Sequence, residues 1–220
     1  MIADIMRTRR SVRRFSDKKV TREILSDLID VAISAPSASN NQPWRFFVID
    51  DKATLNRLAD AVQQRVNLVA ANIQAEFQQN FKRYGDYFVR FSQAPALIIP
   101  LYKKMQMLSN MLEPGLDQRT LQNIETMEFN SGIVSTSLAI QNLLLYAHAT
   151  GLGASCMTGP LLAMDEIRNM IAVPPQWHIA CLIPIGYSDE EPKVQGRKAV
   201  DSVLRFVEVE INEEEKESCH

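Results

Sequence analysis

The order of helical and extended segments predicts an α+β fold, and three observations carry that expectation. Helix-period and strand-like stretches interleave without the regular strand–helix–strand alternation of a doubly wound sheet. Two apolar runs, at residues 96–102 and 179–187, are short enough to be buried strands. A longer apolar stretch at residues 133–149 is broken by Ser135, Ser137, Gln141, Asn142 and His148. It is too short and too polar for a membrane span, and apolar on nearly all faces, as a helix buried on several sides is.

Each element follows from local signals. Thr21 is placed to cap a helix running to about residue 35, with Ile24, Leu25, Leu28, Ile29 and Ala32 at helical spacing and Asp27 and Asp30 off that stripe. Pro36 ends it, and residues 36–43, rich in Ser, Asn and Pro, read as an ordered loop. Residues 45–50 read as a strand and 51–64 as a helix. A helix-prone excursion spans about 65–118, interrupted by the apolar run at 96–102, and carries Phe77, Phe81, Tyr84, Tyr87 and Phe88. Residues 120–150 form the longest helix, stopped by Gly151 and Gly153. A short strand at 154–157, a helix at 165–171 before Pro174 and Pro175, and strands at 179–187 and 204–211 complete the chain. No repeat or linker divides it, so residues 1–220 are expected to form one domain with a full-sized core.

Composition bounds the partners. Of 220 residues 46% are hydrophobic and the net charge is -2, which argues against general affinity for nucleic acid or for an acidic membrane. Yet Arg7, Arg9, Arg10, Arg13 and Arg14 crowd the start, and a basic cluster in a near-neutral chain asks for a specific anion. Three cysteines without a C-x-x-C pair argue against a disulfide framework or a zinc site, and fit a reducing cytoplasm. His148 and His178 lie in apolar surroundings and read as packed or capped histidines.

Three segments could carry chemistry. In Arg9-Arg10-Ser11-Val12-Arg13-Arg14-Phe15, guanidinium forks and a hydroxyl could hold a phosphate, or the run could be a solvated basic face. In Pro36-Ser37-Ala38-Ser39-Asn40-Asn41-Gln42-Pro43-Trp44, small hydroxyl and amide side chains between prolines could face a planar polar ligand, or simply cap a helix-to-strand turn. The third, from Gly151 to Pro160, opens as G-x-G but has Cys156 where a dinucleotide fingerprint needs its third glycine. It also follows a helix, which excludes the Rossmann reading. Gly159 before Pro160 instead suggests backbone amides open to close approach.

Together these segments resemble the nitroreductase family of FMN enzymes. The quoted motifs are R-R-S-x-R-x-F, A-P-S-x-x-N-x-Q-P-W, the G-L-G turn, and a late pattern of Gly186-Tyr187, Pro192 and Arg197-Lys198. Ala38 and Asn41 vary within the motif, Ala199 replaces a proline common after the R-K pair, and residues 65–118 carry no family motif.

The resemblance implies a nitroreductase-like three-layer α/β/α arrangement around a mixed, mainly antiparallel sheet. It implies that Arg9, Ser11 and Arg197 hold the FMN phosphate and ribityl chain, with Arg10 reaching the flavin and Lys198 a lesser phosphate contact. Arg13 matches a cation at the pyrimidine edge of the ring. Pro36, Ser37, Ser39 and Asn40 match a loop that reaches the flavin of the partner subunit, and Gln64 a side-chain amide contact to the ring. Thr158 and Gly159 match backbone donors near the flavin N5. The implied activity uses NADH or NADPH to reduce nitroaromatics, quinones or related electron-poor acceptors by a ping-pong mechanism, in a homodimer with no nucleic-acid or membrane partner. No protein group is implied as catalytic, because the chemistry belongs to the cofactor. The alternative is another reaction on the same flavin fold: reductive dehalogenation, flavin fragmentation or dehydrogenation.

Overall fold

The computed structural model describes residues 2–190 and 196–207. Eleven regular elements follow in order: α1 (Ile2–Thr8), α2 (Arg22–Ile33), β1 (Trp44–Ile49), α3 (Lys52–Asn72), α4 (Ala75–Gly85), β2 (Ala96–Tyr102), α5 (Gln118–Ala149), β3 (Gly153–Ala154), α6 (Met164–Met170), β4 (His178–Ile179) and β5 (Ile183–Gly186). The fold is α+β. The sheet has the order β1-β2-β5-β3, with β4 paired to β2, and every pairing between these strands is antiparallel. A single parallel bridge, Ser11 to Ala154, makes it mixed.

Strand β2 is buried along its whole length, and its alternating side chains divide the core in two. Ala96 and Ile98 join Leu25, Leu28, Ile140 and Leu143 on the face covered by α2 and α5. Leu97, Ile99 and Leu101 join Leu55, Leu58, Val62 and Ile167 on the face covered by α3 and α6. Helices therefore cover both faces of the sheet. Pro100 stands in this central strand because the ladder is interrupted there. Three steps along β2 from Ile98 to Leu101 face four from Ile183 to Ile179, so the β4–β5 strand carries one extra residue.

The helices start where the caps require. Thr21 Oγ1 accepts the Ile24 amide at 3.4 Å. Asp51 accepts those of Ala53 and Thr54 at 3.0 and 3.1 Å, and Asp117 that of Thr120 at 3.0 Å. The helix expected to end near residue 64 instead runs to Asn72: neither glycine nor proline interrupts it, and Val62, Val66 and Ala70 continue its buried stripe. After α4 the excursion gives way to β2, and residues 103–117 are mostly irregular. The strand expected at 154–157 shrinks to Gly153–Ala154 plus a bridge from Met157 to Leu182. The strand expected at 204–211 is corrected in part. Residues 204–207 are not extended into any ladder, and 208–211 lie outside the described residues. Among the described residues, no helix is long and apolar enough to cross a membrane.

Candidate functional site

The basic motif and the glycine turn meet as two edges of one surface. Val12 donates its amide to Ala154 O at 3.0 Å, and Ser16 donates to Tyr187 O at 3.0 Å, so residues 11–16 lie along the sheet beside β3 and β5. Glu190 fixes the middle of this run, its Oε1 accepting the amides of Arg13 and Arg14 at 2.8 and 3.2 Å. Gly153 is needed where the two segments touch, since a Cβ there would meet Val12 Cβ at 2.7 Å.

The side chains that leave this surface are cationic and short of partners. Arg9 is partly buried, and burial together with Arg197 and Arg10 pushes its pKa down, so three guanidinium groups repel one another in one place. Arg10 donates to Arg7 O and Arg9 O at 2.5 and 2.8 Å, while its Nε is buried with no acceptor. His148, from the last turn of α5, stands 2.9 Å from Thr8 Oγ1. Its pKa is lowered by burial and by Arg9 and Arg10. Clustered cations with an unsatisfied buried donor fit a bound phosphate, which would supply the missing charge and acceptors. A packed or capped histidine accommodates the Thr8 contact, but nothing in the linear sequence sets His148 beside Arg9.

On the turn after β3, Thr158 is exposed and Gly159 half-buried. Gly159 is confined by space, because a Cβ would lie 2.8 Å from Phe88 Cγ. The aromatic excursion thus touches this turn. Gln64 lies on the exposed side of α3, whose neighbouring Arg65 binds Glu166 of α6 with its Nε 2.6 Å from Oε1. The exposed Cys156 accepts a hydrogen bond from the buried Cys181; this holds its pKa at about 7, against the opposing effect of burial. Lys198, like Arg197, is exposed.

The loop at 36–43 lies elsewhere and is strained. Ser39, Asn40 and Gln42 have φ of 50, 53 and 46°, three of the four non-glycine residues with positive φ among those described. Such conformations cost of order 1–3 kcal/mol each and concentrate at functional loops. Ser37 organises the turn, its carbonyl accepting the Asn40 amide and its Oγ the Gln42 amide, both at 3.0 Å. Ser135 of α5 anchors it by accepting the Ala38 amide at 3.2 Å. Thirteen residues of helix separate Ser135 from His148, a rise of about 20 Å. One chain therefore sets Arg9 and Arg10, with Arg197 near Arg9, at the His148 end of α5, Ser11 and Arg13 beside β3, and Thr158 and Gly159 against Phe88. It leaves Pro36, Ser37, Ser39 and Asn40 near the middle of α5.

The sequence model of the Nitroreductase family matches residues 6–187. The chain belongs to the nitroreductase family. Its relatives include a putative NAD(P)H nitroreductase of Bacillus subtilis, 24% identical over 95% of this chain and 94% of its own length. An iodotyrosine dehalogenase 1 homolog of Caenorhabditis elegans is 28% identical over 91% of this chain, which spans only 59% of that protein. Among solved structures, a nitroreductase with bound FMN from Desulfitobacterium hafniense superposes with a TM-score of 0.69 at 18% identity, covering 94% of this chain and 98% of that one. The nitroreductase fold here is thus shared with a protein seen to hold FMN, and the two relatives carry names of different reactions, nitro reduction and dehalogenation.

Proposed function

We propose that this nitroreductase-family chain is an FMN-dependent oxidoreductase that uses NADH or NADPH to reduce nitroaromatics, quinones or related electron-poor acceptors. The observation that carries the reading is the Arg9–Arg10–Arg197 cluster with the buried, unpartnered Arg10 Nε, a donor set whose charge and geometry suit a phosphate. Arg9, Ser11 and Arg197 hold the phosphate end, with Arg10 and Lys198 beside them, and Arg13 sets a positive charge at the pyrimidine edge. Thr158 and Gly159 present backbone amides to the ring, and Gln64 a side-chain amide. Bound there, FMN would supply the two-electron redox chemistry that links the nucleotide to the acceptor. The protein's part would be to orient the ring and, through Arg13, to favour negative charge at that edge, so no catalytic acid or nucleophile is assigned.

The working unit is a homodimer. Met127, Val134 and Leu138 on one face of α5 are 50, 57 and 43% exposed. With Pro36, Ser37 and Ala38 they line an open groove of about 480 Å³. A second copy packed there covers the apolar face and carries each strained loop, with Pro36, Ser37, Ser39 and Asn40, to the other chain's flavin. The composition fits a cytoplasmic protein acting on small molecules.

The second reading, reductive dehalogenation on the same fold, is favoured by the name of the Caenorhabditis elegans relative. Turnover of a nitroaromatic with NADH or NADPH, set against release of iodide from 3-iodotyrosine with dithionite, separates them. Nitro reduction without iodide release supports the first reading; the reverse replaces it with the second.

A further inference from the structure

A second cavity, of about 520 Å³, lies at the base of the 36–43 loop, where Lys103 and Lys104 face four amides, those of Asn41, Gln106, Asn110 and Gln176. Its size is that of a small-molecule site. Among the described lining residues there is no carboxylate: every lining polar side chain except His178 is an ammonium or an amide, and the amides can donate as well as accept. Lys104 has an ion pair, with Glu125 at 3.2 Å. Lys103 has none among the described residues; its Nζ stands 5.8 Å above the Trp177 ring. Met105 and Met107 supply the apolar part of the wall.

The wall is held in place from behind. Glu128, 2% exposed, accepts the amides of Met107 and Ser109 at 3.0 and 2.8 Å, and Met105 donates to the Glu128 carbonyl at 3.2 Å. Asn41 Nδ2 approaches Met107 Sδ at 3.0 Å, joining this wall to the strained loop. His178 is fixed in a cluster with Tyr102 and Phe129, ring centroids 5.2 and 5.8 Å away.

We propose that this pocket receives the anionic group of a substrate, with Lys103 its principal cation and the amides of Asn41, Gln106, Asn110 and Gln176 its hydrogen-bond donors. The inference rests on the flavin reading, in which the same loop borders the ring and an acceptor or nucleotide docks beside it. An ammonium with no counter-charge among the described residues, flanked by amides that keep an N–H to offer, selects a carboxylate or phosphate over a neutral analogue. That anion has two possible sources: a carboxylate-bearing acceptor, or the 2′-phosphate that distinguishes NADPH from NADH.

The test uses Lys103→Met and the conservative Lys103→Arg in the FMN-loaded full chain. If the acceptor supplies the anion, K103M raises the ratio of KM for 4-nitrobenzoate to KM for nitrobenzene about tenfold, and K103R keeps it. If the nucleotide does, the ratio of KM for NADPH to KM for NADH rises instead. Either result supports the pocket and names its source; both ratios unchanged in K103M overturns it. Titration of flavin-free protein with benzoate, with inorganic phosphate and with neutral benzamide, read from amide NMR shifts of Gln106 and Asn110, is independent of flavin. Shifts with either anion but not with benzamide support the pocket even if the flavin reading fails. Equal shifts with all three, or none, overturn it even if the protein is yellow.

Discussion

The ring of Phe88 packs against Gly159 so closely that the turn after β3 has no room for a side chain: a Cβ on Gly159 would lie 2.8 Å from Phe88 Cγ. The helical excursion and the turn after β3 are therefore mechanically linked. Gly159→Ala is expected to cost about 1–3 kcal/mol by overpacking, and Phe88→Leu in the same chain to recover part of it. Urea unfolding of the four variants of that cycle measures the coupling; strict additivity would contradict the contact.

Removing the cations tests the phosphate site. Arg9→Ala combined with Arg197→Ala deletes two charge-assisted partners of an anion, each worth roughly 1.5–3 kcal/mol. FMN affinity, followed by recovery of flavin fluorescence on dilution, is expected to fall at least a hundredfold. A double variant that purifies fully yellow contradicts the assignment.

His148 makes this end of α5 sensitive to acid. Burial, then Arg9 and Arg10, hold its folded pKa below the ordinary histidine value. As pH falls the unfolded chain therefore binds the proton first. The stability is present above about pH 6.5, where the unfolded histidine is neutral, and is lost as pH drops below it. In flavin-free protein the fall in Tm between pH 7.5 and 5.5 should be smaller for His148→Gln than for the parent chain. Equal falls would remove His148 from the cluster.

Glu128 anchors the irregular segment through buried amide bonds. Burial pushes its carboxyl up, but the amides of Ser109, Met107 and Leu108, together with the Ser109 side chain, outweigh this and hold it below the usual range. Its contribution is present above the unfolded glutamate pKa and is lost as pH falls through the lower folded value. Glu128→Gln is expected to cost about 1–3 kcal/mol and to speed hydrogen exchange at Met107 and Ser109. Unchanged exchange there would show that the carboxylate does not order the segment.

Cys156 offers a probe of the turn. With Cys181 donating to its sulfur and its pKa at about 7, Cys156 should react with iodoacetamide at neutral pH, while that same hydrogen bond, then burial, push Cys181 well above the ordinary thiol value and leave it inert. Bound FMN should slow alkylation of Cys156; equal rates with and without flavin would move the ring away from residues 156–159.

Much of the architecture is legible in the sequence because local signals and tertiary demand agree. Thr21 caps α2 as its side chain suggests, and the apolar run Ala96–Tyr102 is the central strand. Other features depend on partners distant in sequence. The full length of α3 rests on a buried stripe carried on by Val66 and Ala70, and the break between β4 and β5 on a register shift against β2. Positive φ at Ser39 and Gln42 is invisible without a glycine to mark it. In the candidate site, the arginine motif and the glycine turn could be read as separate pieces. Their meeting across the Val12–Ala154 hydrogen bond, and the place of His148 beside Arg9, follow only from the folded chain.

The most direct measurement is an absorbance spectrum of the purified protein supplied with FMN, recorded before and after anaerobic addition of NADH or NADPH. The proposed function requires protein-bound flavin bands near about 370 and 450 nm that bleach with at least one nucleotide. A protein that stays colourless after FMN is added and the excess removed would contradict the central claim.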